Sequence, residues 1–442
     1  MFAAPRLSIR PEAQKALTLA YQIYAVLILG SMATMNIGAA VLLATLVVGT
    51  ATGTGRRATF FKWLRVERQR PSSASYLTAA AFLFSACALS LIAAHYVPIV
   101  VGTHQVQVAF TSDMAKGWYL FWPIPLAAGL RLITADQRLR VFRTWLIAFT
   151  VISAIGVAQY FTGWPRPQSI PGLEGRFHAT LFMGHHLSVA SVWIFPFFAA
   201  LDAAIAERDP RWKRLWLAAA FLGGVTLFFT YSRMLWVAFP IALAVWILWT
   251  LPRRMAWVVL ALMTVSGAFI ISTEAVRGRL LNVMGIATRQ DLWQANLELL
   301  HERPFTGAGW HHNLEASAWL IQQKLQSADV FAGHAHNNLL EVLGGTGAVG
   351  LVAWLTWWVV LIRVLAEVWV RGRDFSRGWG APAFVRGLGC AWIAFQLNGL
   401  TQVNFWESKV LHTLMWTVAW LLYWAGELGQ PNLTPIGAEE LA

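Results

Sequence analysis

Charge is what this chain has least of. Of its 442 residues only 12% are charged, with 21 Asp and Glu against 34 Lys and Arg, where a water-soluble domain carries about 25%. Halving that share excludes a soluble enzyme, a disordered chain and a coiled coil. Cysteine is almost missing too. Cys87 and Cys390 both lie in apolar runs, which excludes a disulfide framework and a multi-cysteine metal site. Apolar surface is abundant: 57% of the residues are hydrophobic and 25 are Trp.

A membrane-crossing helix takes about 20 largely apolar residues. Twelve stretches qualify: 17–34, 37–54, 76–99, 118–134, 145–163, 180–205, 215–231, 234–251, 256–273, 339–362, 387–404 and 410–427. The fold expected is all-α and polytopic. The first two spans part only around Asn36, which predicts a tight hairpin. Residues 1–16 are basic and precede no A-x-A-like cleavage site, so the first span reads as a retained membrane helix rather than a signal peptide.

Twelve spans put both termini on one side. The segments on that side hold 24 of the 34 Lys and Arg, and such a bias marks the cytoplasm. The net charge of +13 is then a topology signal, with no nucleic-acid partner behind it. All eleven histidines fall in outer loops or outer halves of spans, which points the chemistry outward.

One outer segment is long. Residues 274–338 contain two stretches with helical spacing, Leu292, Ala295, Leu299 and Leu300, then Leu314, Ala318, Ile321 and Leu325, parted by Pro304 and 307-GAG-309. Two amphipathic helices lying over the membrane surface are expected. The division expected is 1–273 (membrane helices 1–9), 274–338 (outer loop domain), 339–428 (membrane helices 10–12) and 429–442 (disordered cytoplasmic tail).

The end of that segment reads 333-GHAHNNLLEVLGGTGAVGL-351. Its H-N-x-x-L-x(6)-G-x-x-G pattern, from His336 and Asn337 to Gly347 and Gly350, resembles the signature of the O-antigen ligase/polymerase superfamily. Two further pieces match that family in order: 230-TYSRMLW-236, which places Arg233, and 289-RQDLWQANLELLHERPFTGAG-309, which places Arg289. The resemblance implies a GT-C-like membrane glycosyltransferase of the bacterial inner membrane with a periplasmic site. It implies an undecaprenyl-pyrophosphate-linked glycan as donor and lipid A-core as acceptor, as in an O-antigen ligase. Related activities of the same family are O-antigen polymerase and protein O-oligosaccharyltransferase. A lipid-linked sugar flippase is the rival from another class, but it should show repeated halves with broken helices at mid-membrane, and no repeat is present.

Read physically, His336 sits where a loop enters a helix and its neutral imidazole can accept a proton. His334, two residues away, competes for the role, and in an extended loop the two point to opposite sides. Arg233 opens a membrane helix, where an arginine costs about 2.5–3.5 kcal/mol. A carboxylate or an anionic ligand must offset that cost. Two guanidinium forks, Arg233 and Arg289, suit a pyrophosphate. Glu341 either orients His336 or neutralises Arg233. Asn337, Trp310 and Arg176 are further candidates for substrate contact. Trp310, His311, His312, Phe331 and Trp406 could stack on sugars, although an interfacial aromatic belt is the favoured reading of such rings. His178, His185 and His186 lie near Arg176 on a possible acceptor side. Glycines 344, 345, 347 and 350 suggest close backbone approach. Outer loops carry no D-x-D or E-x-D pair for a divalent cation, so no metal or cofactor is expected. One base with a charged leaving group implies a single in-line displacement with inversion.

Overall fold

The structure, a computed structural model, describes residues 9–51, 60–98, 100–101, 104–105, 108–280, 284–324, 334–372 and 381–428. The expected tail from 429 onward and Phe331 lie outside them.

The described residues are mostly helical. In order the helices are α1 (Pro11–Leu27), α2 (Met32–Ala51), α3 (Phe60–Arg68), α4 (Pro71–Tyr96), α5 (Phe110–Ala115), α6 (Pro123–Leu130), α7 (Ala135–Thr162), α8 (His186–Ala206), α9 (Pro210–Phe229), α10 (Arg233–Thr250), α11 (Arg253–Ser272), α12 (Glu274–Leu280), α13 (Met284–Glu302), α14 (Asn313–Lys324), α15 (Asn338–Gly372), α16 (Ala381–Asn398) and α17 (Ser408–Leu428). Two small antiparallel hairpins, β1–β2 (Val100–Val101, His104–Gln105) and β3–β4 (Ser169–Ile170, Leu173–Phe177), lie in connections.

Helix occupies each of the twelve apolar stretches. Seven described helices, α2, α4, α7, α8, α10, α11 and α15, are by themselves long and apolar enough to cross a membrane. Two edges differ from expectation. The first hairpin turns at 28–31, and Asn36 sits inside α2, where its Oδ1 lies 3.2 Å from Nε2 of His412 on α17. The 118–134 stretch is a 3₁₀ turn followed by α6, broken at Trp122–Pro123 because proline cannot donate to the preceding turn.

The core is a continuous apolar mass through the bundle, with Trp145, Trp193, Trp216, Trp357 and Trp416 fully buried. Most tryptophans in it are therefore packing groups. Helix α11 is the opposite case: Trp257, Leu262, Val265 and Phe269 are 63–73% exposed, as suits a helix solvated by lipid.

One end of the bundle is closed by ions. Arg131 forms salt bridges to Glu67 and Glu427 and donates to the carbonyls of Leu422 and Tyr423. Helices α8, α10, α15 and α17 all begin at the opposite end. There α13 and α14 fall in the two stretches read as amphipathic. Leu292, Ala295 and Leu299 of α13 are buried on the expected face, but among the described residues of α14 the buried apolar ones are Ala316 and Leu320 while Leu314 is only half-buried, and Leu325 lies outside the described residues. The short α12 precedes both helices.

Candidate active site

The loop between α13 and α14 and the glycine run of α15 hold each other by main chain. Ala308 and Gly309 donate to the carbonyls of Gly344 and Gly345 at 2.8 and 2.9 Å, and Ala348 donates to Pro304 at 2.8 Å. This pairing requires a break in α15. Gly347 supplies it with φ +66, a conformation costly for any residue with a Cβ. The glycines do permit close approach, as read from the sequence, but the partner is the 304-PFTGAG-309 loop rather than another helix. The stretches containing Arg289 and His336 are thereby fixed to one another.

A second clamp holds the histidine loop. Trp293 on α13 donates its Nε1 to the carbonyl of Ala335 at 2.8 Å, and Glu341 on α15 accepts the Ala335 N–H at 2.9 Å. The other oxygen of Glu341 lies 3.1 Å from Nδ1 of His334. With residue 335 gripped on both sides, His336 is held at φ +48, in the left-handed region. Trp293 lies one helical turn after Arg289, so the R-x(3)-W spacing lets one residue grip the loop while the other stands beside it. Asn337 caps α15, its Oδ1 accepting from the N–H groups of Leu339 and Leu340 at 2.9 and 3.2 Å.

The electrostatics follow from this placement. Burial, then the guanidinium of Arg289, pushes His336 down to about 4, with His334 and His185 adding to the effect and Glu341 opposing it. The hydrogen bond to Glu341 pulls His334 up. The two histidines are thus made unlike: His336 is neutral near pH 7, while the proton on His334 is stabilised. Burial and the nearby Arg233 lower Arg289, so the two arginines lie within electrostatic reach of each other. Arg233 is the first residue of α10, where the helix dipole disfavours a cation.

The turn before Arg233 is stitched from outside. Phe229 accepts the N–H of Ala179, and the Thr230 carbonyl lies 2.9 Å from Nδ1 of His178. Arg176 packs on aromatic rings. It is exposed, its guanidinium 5.2–5.6 Å from the rings of Phe161 and Tyr160, and stacked rings lead from Tyr160 to Phe229 and Tyr231. Trp310 is 2% exposed, packed against Trp406 and His311. It lies in the wall behind the site, with no open face for a ligand. His312 lies 2.7 Å from Asp113, which also pairs with Lys116. These groups tie the loop down beside α5.

Several residues went unnoticed in the sequence. Asn338 accepts from the N–H groups of Asn404 and Phe405 and donates to the Asn404 side chain, fastening the 399–407 loop to α15. Asn398, Gln402 and Ser191 extend the polar seam to α8. Glu407 accepts from Ser188. The one signal was the cluster of amides in 398-NGLTQVN-404, which lies inside an otherwise apolar stretch.

Fold and site together define an all-α, multi-pass membrane protein whose polar groups converge where several helix N-termini meet. Residues 218–355 match the family described as O-antigen ligase, a stretch holding Arg233, Arg289 and the whole histidine loop. The chain is also similar to a curated O-antigen ligase of Pseudomonas aeruginosa, 27% identical over 310 residues, covering 68% of this chain. The match spans 66% of that relative's own length, just under two thirds. Over residues 218–355 the chain is similar to the O-antigen ligase family, in agreement with the resemblance carried by its three motifs.

Proposed function

We propose that the protein is a glycosyltransferase of the bacterial inner membrane, transferring an O-antigen glycan from undecaprenyl pyrophosphate to a lipid A-core hydroxyl on the periplasmic face. The observation that carries this reading is the position of Arg289, within electrostatic reach of both Arg233 and His336. One residue couples an anion site to a candidate base.

In the reaction His336 takes the proton of the acceptor hydroxyl as its oxygen attacks the anomeric carbon. The bond from that carbon to the pyrophosphate oxygen breaks in line, so configuration inverts and undecaprenyl pyrophosphate departs. Arg233 and Arg289 bind its phosphates and stabilise the charge that develops on the leaving oxygen. The bound pyrophosphate also offsets the field of Arg289 on His336. The imidazole becomes more basic when donor is present, and a general base of this kind contributes about 10² to 10⁴ in rate. No divalent cation takes part. Membrane lipids supply the surroundings, and helices α13 and α14 serve as a cap over the site.

The test is a reconstitution of purified protein with carrier-linked glycan and lipid A-core. Glycan on lipid A-core supports the reading. Longer glycan on the carrier itself would make the protein a polymerase instead.

A further inference from the structure

Beside the histidine loop lies a group of polar residues that the transfer reading leaves unused. His185 immediately precedes α8 and is exposed; Glu407 and Lys409 flank the start of α17. His185 is within electrostatic reach of His336 and Lys409, and Glu407 of His334 and Lys409. The Glu407 main-chain carbonyl accepts from Val410 and Leu411, but its side chain turns away from its own helix to take a hydrogen bond from Ser188 on α8. A carboxylate kept only to cap α17 would bind the N–H groups of that helix. Among the described residues the carboxylate is engaged on this one oxygen. Its backbone is rigid, since the Asn338 and Asn398–Gln402 contacts fasten the whole loop.

We propose that His185, Glu407 and Lys409 form the acceptor subsite and receive a carbohydrate, with Glu407 accepting hydrogen bonds from hydroxyls neighbouring the attacking one. The inference rests on the glycan-transfer reading. Sugar hydroxyls are donors, and a rigid, half-buried carboxylate is a strong acceptor for them. Lys409, whose Nζ donates to Met183 at 2.7 Å, and His185 offer the matching donors. Burial raises the carboxyl of Glu407, as expected of a group shielded from water and poised for a polar ligand.

The experiment uses the full-length purified protein with saturating carrier-linked glycan and varied lipid A-core. In Glu407→Gln, whose amide keeps the shape, the acceptor KM should rise about tenfold or more while donor affinity stays within about twofold. An acceptor KM equal to that of the wild type, or an equal loss of donor affinity, would overturn the proposal. Should that variant not fold, His185→Gln reads the same group: a several-fold rise in acceptor KM supports the proposal and no change overturns it. A wild-type protein that fails to transfer glycan to any acceptor would instead sink the glycan-transfer reading, and this proposal with it.

Discussion

Glu341 holds His334 and the Ala335 amide with one carboxylate, at 3.1 and 2.9 Å. A single side chain therefore stabilises the proton on one histidine and fixes the peptide that leads to the other. Both of these partners lie in the histidine loop.

Replacing this carboxylate should separate aim from binding. Glu341→Gln is expected to lower the transfer rate about 10²-fold with donor affinity little changed, and to bring the His334 pKa down because its largest support is lost. Steady-state kinetics with direct donor-binding measurements check this.

The pH profile carries a sign that geometry dictates. A base depressed to about 4 is neutral above that value, so donor kcat/KM, which reports the free enzyme, should hold from pH 7 down to 5 and fall only as pH drops through about 4. Arg289 lowers the pKa of His336, so Arg289→Gln should move this acid limb upward, toward the ordinary imidazole value of about 6.5. A limb that stays put would remove Arg289 from the vicinity of the base.

The main-chain pairing of the two glycine motifs predicts intolerance of a methyl group. In Gly307, at φ +63, a Cβ would lie 2.6 Å from the carbonyl carbon of Gly345, and Gly347 is equally unfavourable against Phe305. Gly347→Ala and Gly307→Ala should each cost at least about 1–3 kcal/mol and expose the 303–312 connection. Thermal unfolding in detergent and limited proteolysis read both effects. Gly172→Ala and Gly175→Ala, which lie in open space but also at positive φ, should cost less because only backbone strain applies.

Asn338→Leu should leave the N–H groups of Asn404 and Phe405 buried without an acceptor, at about 1–3 kcal/mol each. Loosening of the 399–407 loop should then appear as faster amide hydrogen exchange there.

Much of this was legible in the chain. Apolar runs gave the helices because membrane length is a property of composition, and three motifs named the residues Arg233, Arg289 and His336. What stayed hidden is long-range. That Trp293 grips residue 335, or that 304-PFTGAG-309 docks on the α15 glycines, depends on main-chain partners with no periodic trace. Glu341 was ambiguous because its two uses differ only in direction. Trp310 shows the converse failure: an aromatic at an outer loop reads alike whether it faces a sugar or, as here, the core.

The central claim is that His336 is the base beside an arginine-held pyrophosphate, and it is tested most directly by single-turnover transfer in EDTA from carrier-linked glycan to lipid A-core. His336→Ala should bind donor as the wild type does yet transfer about 10² to 10⁴ times more slowly, whereas Arg233→Ala and Arg289→Ala should lose donor affinity. Wild-type transfer by His336→Ala, or abolition of wild-type activity by EDTA, would contradict the account.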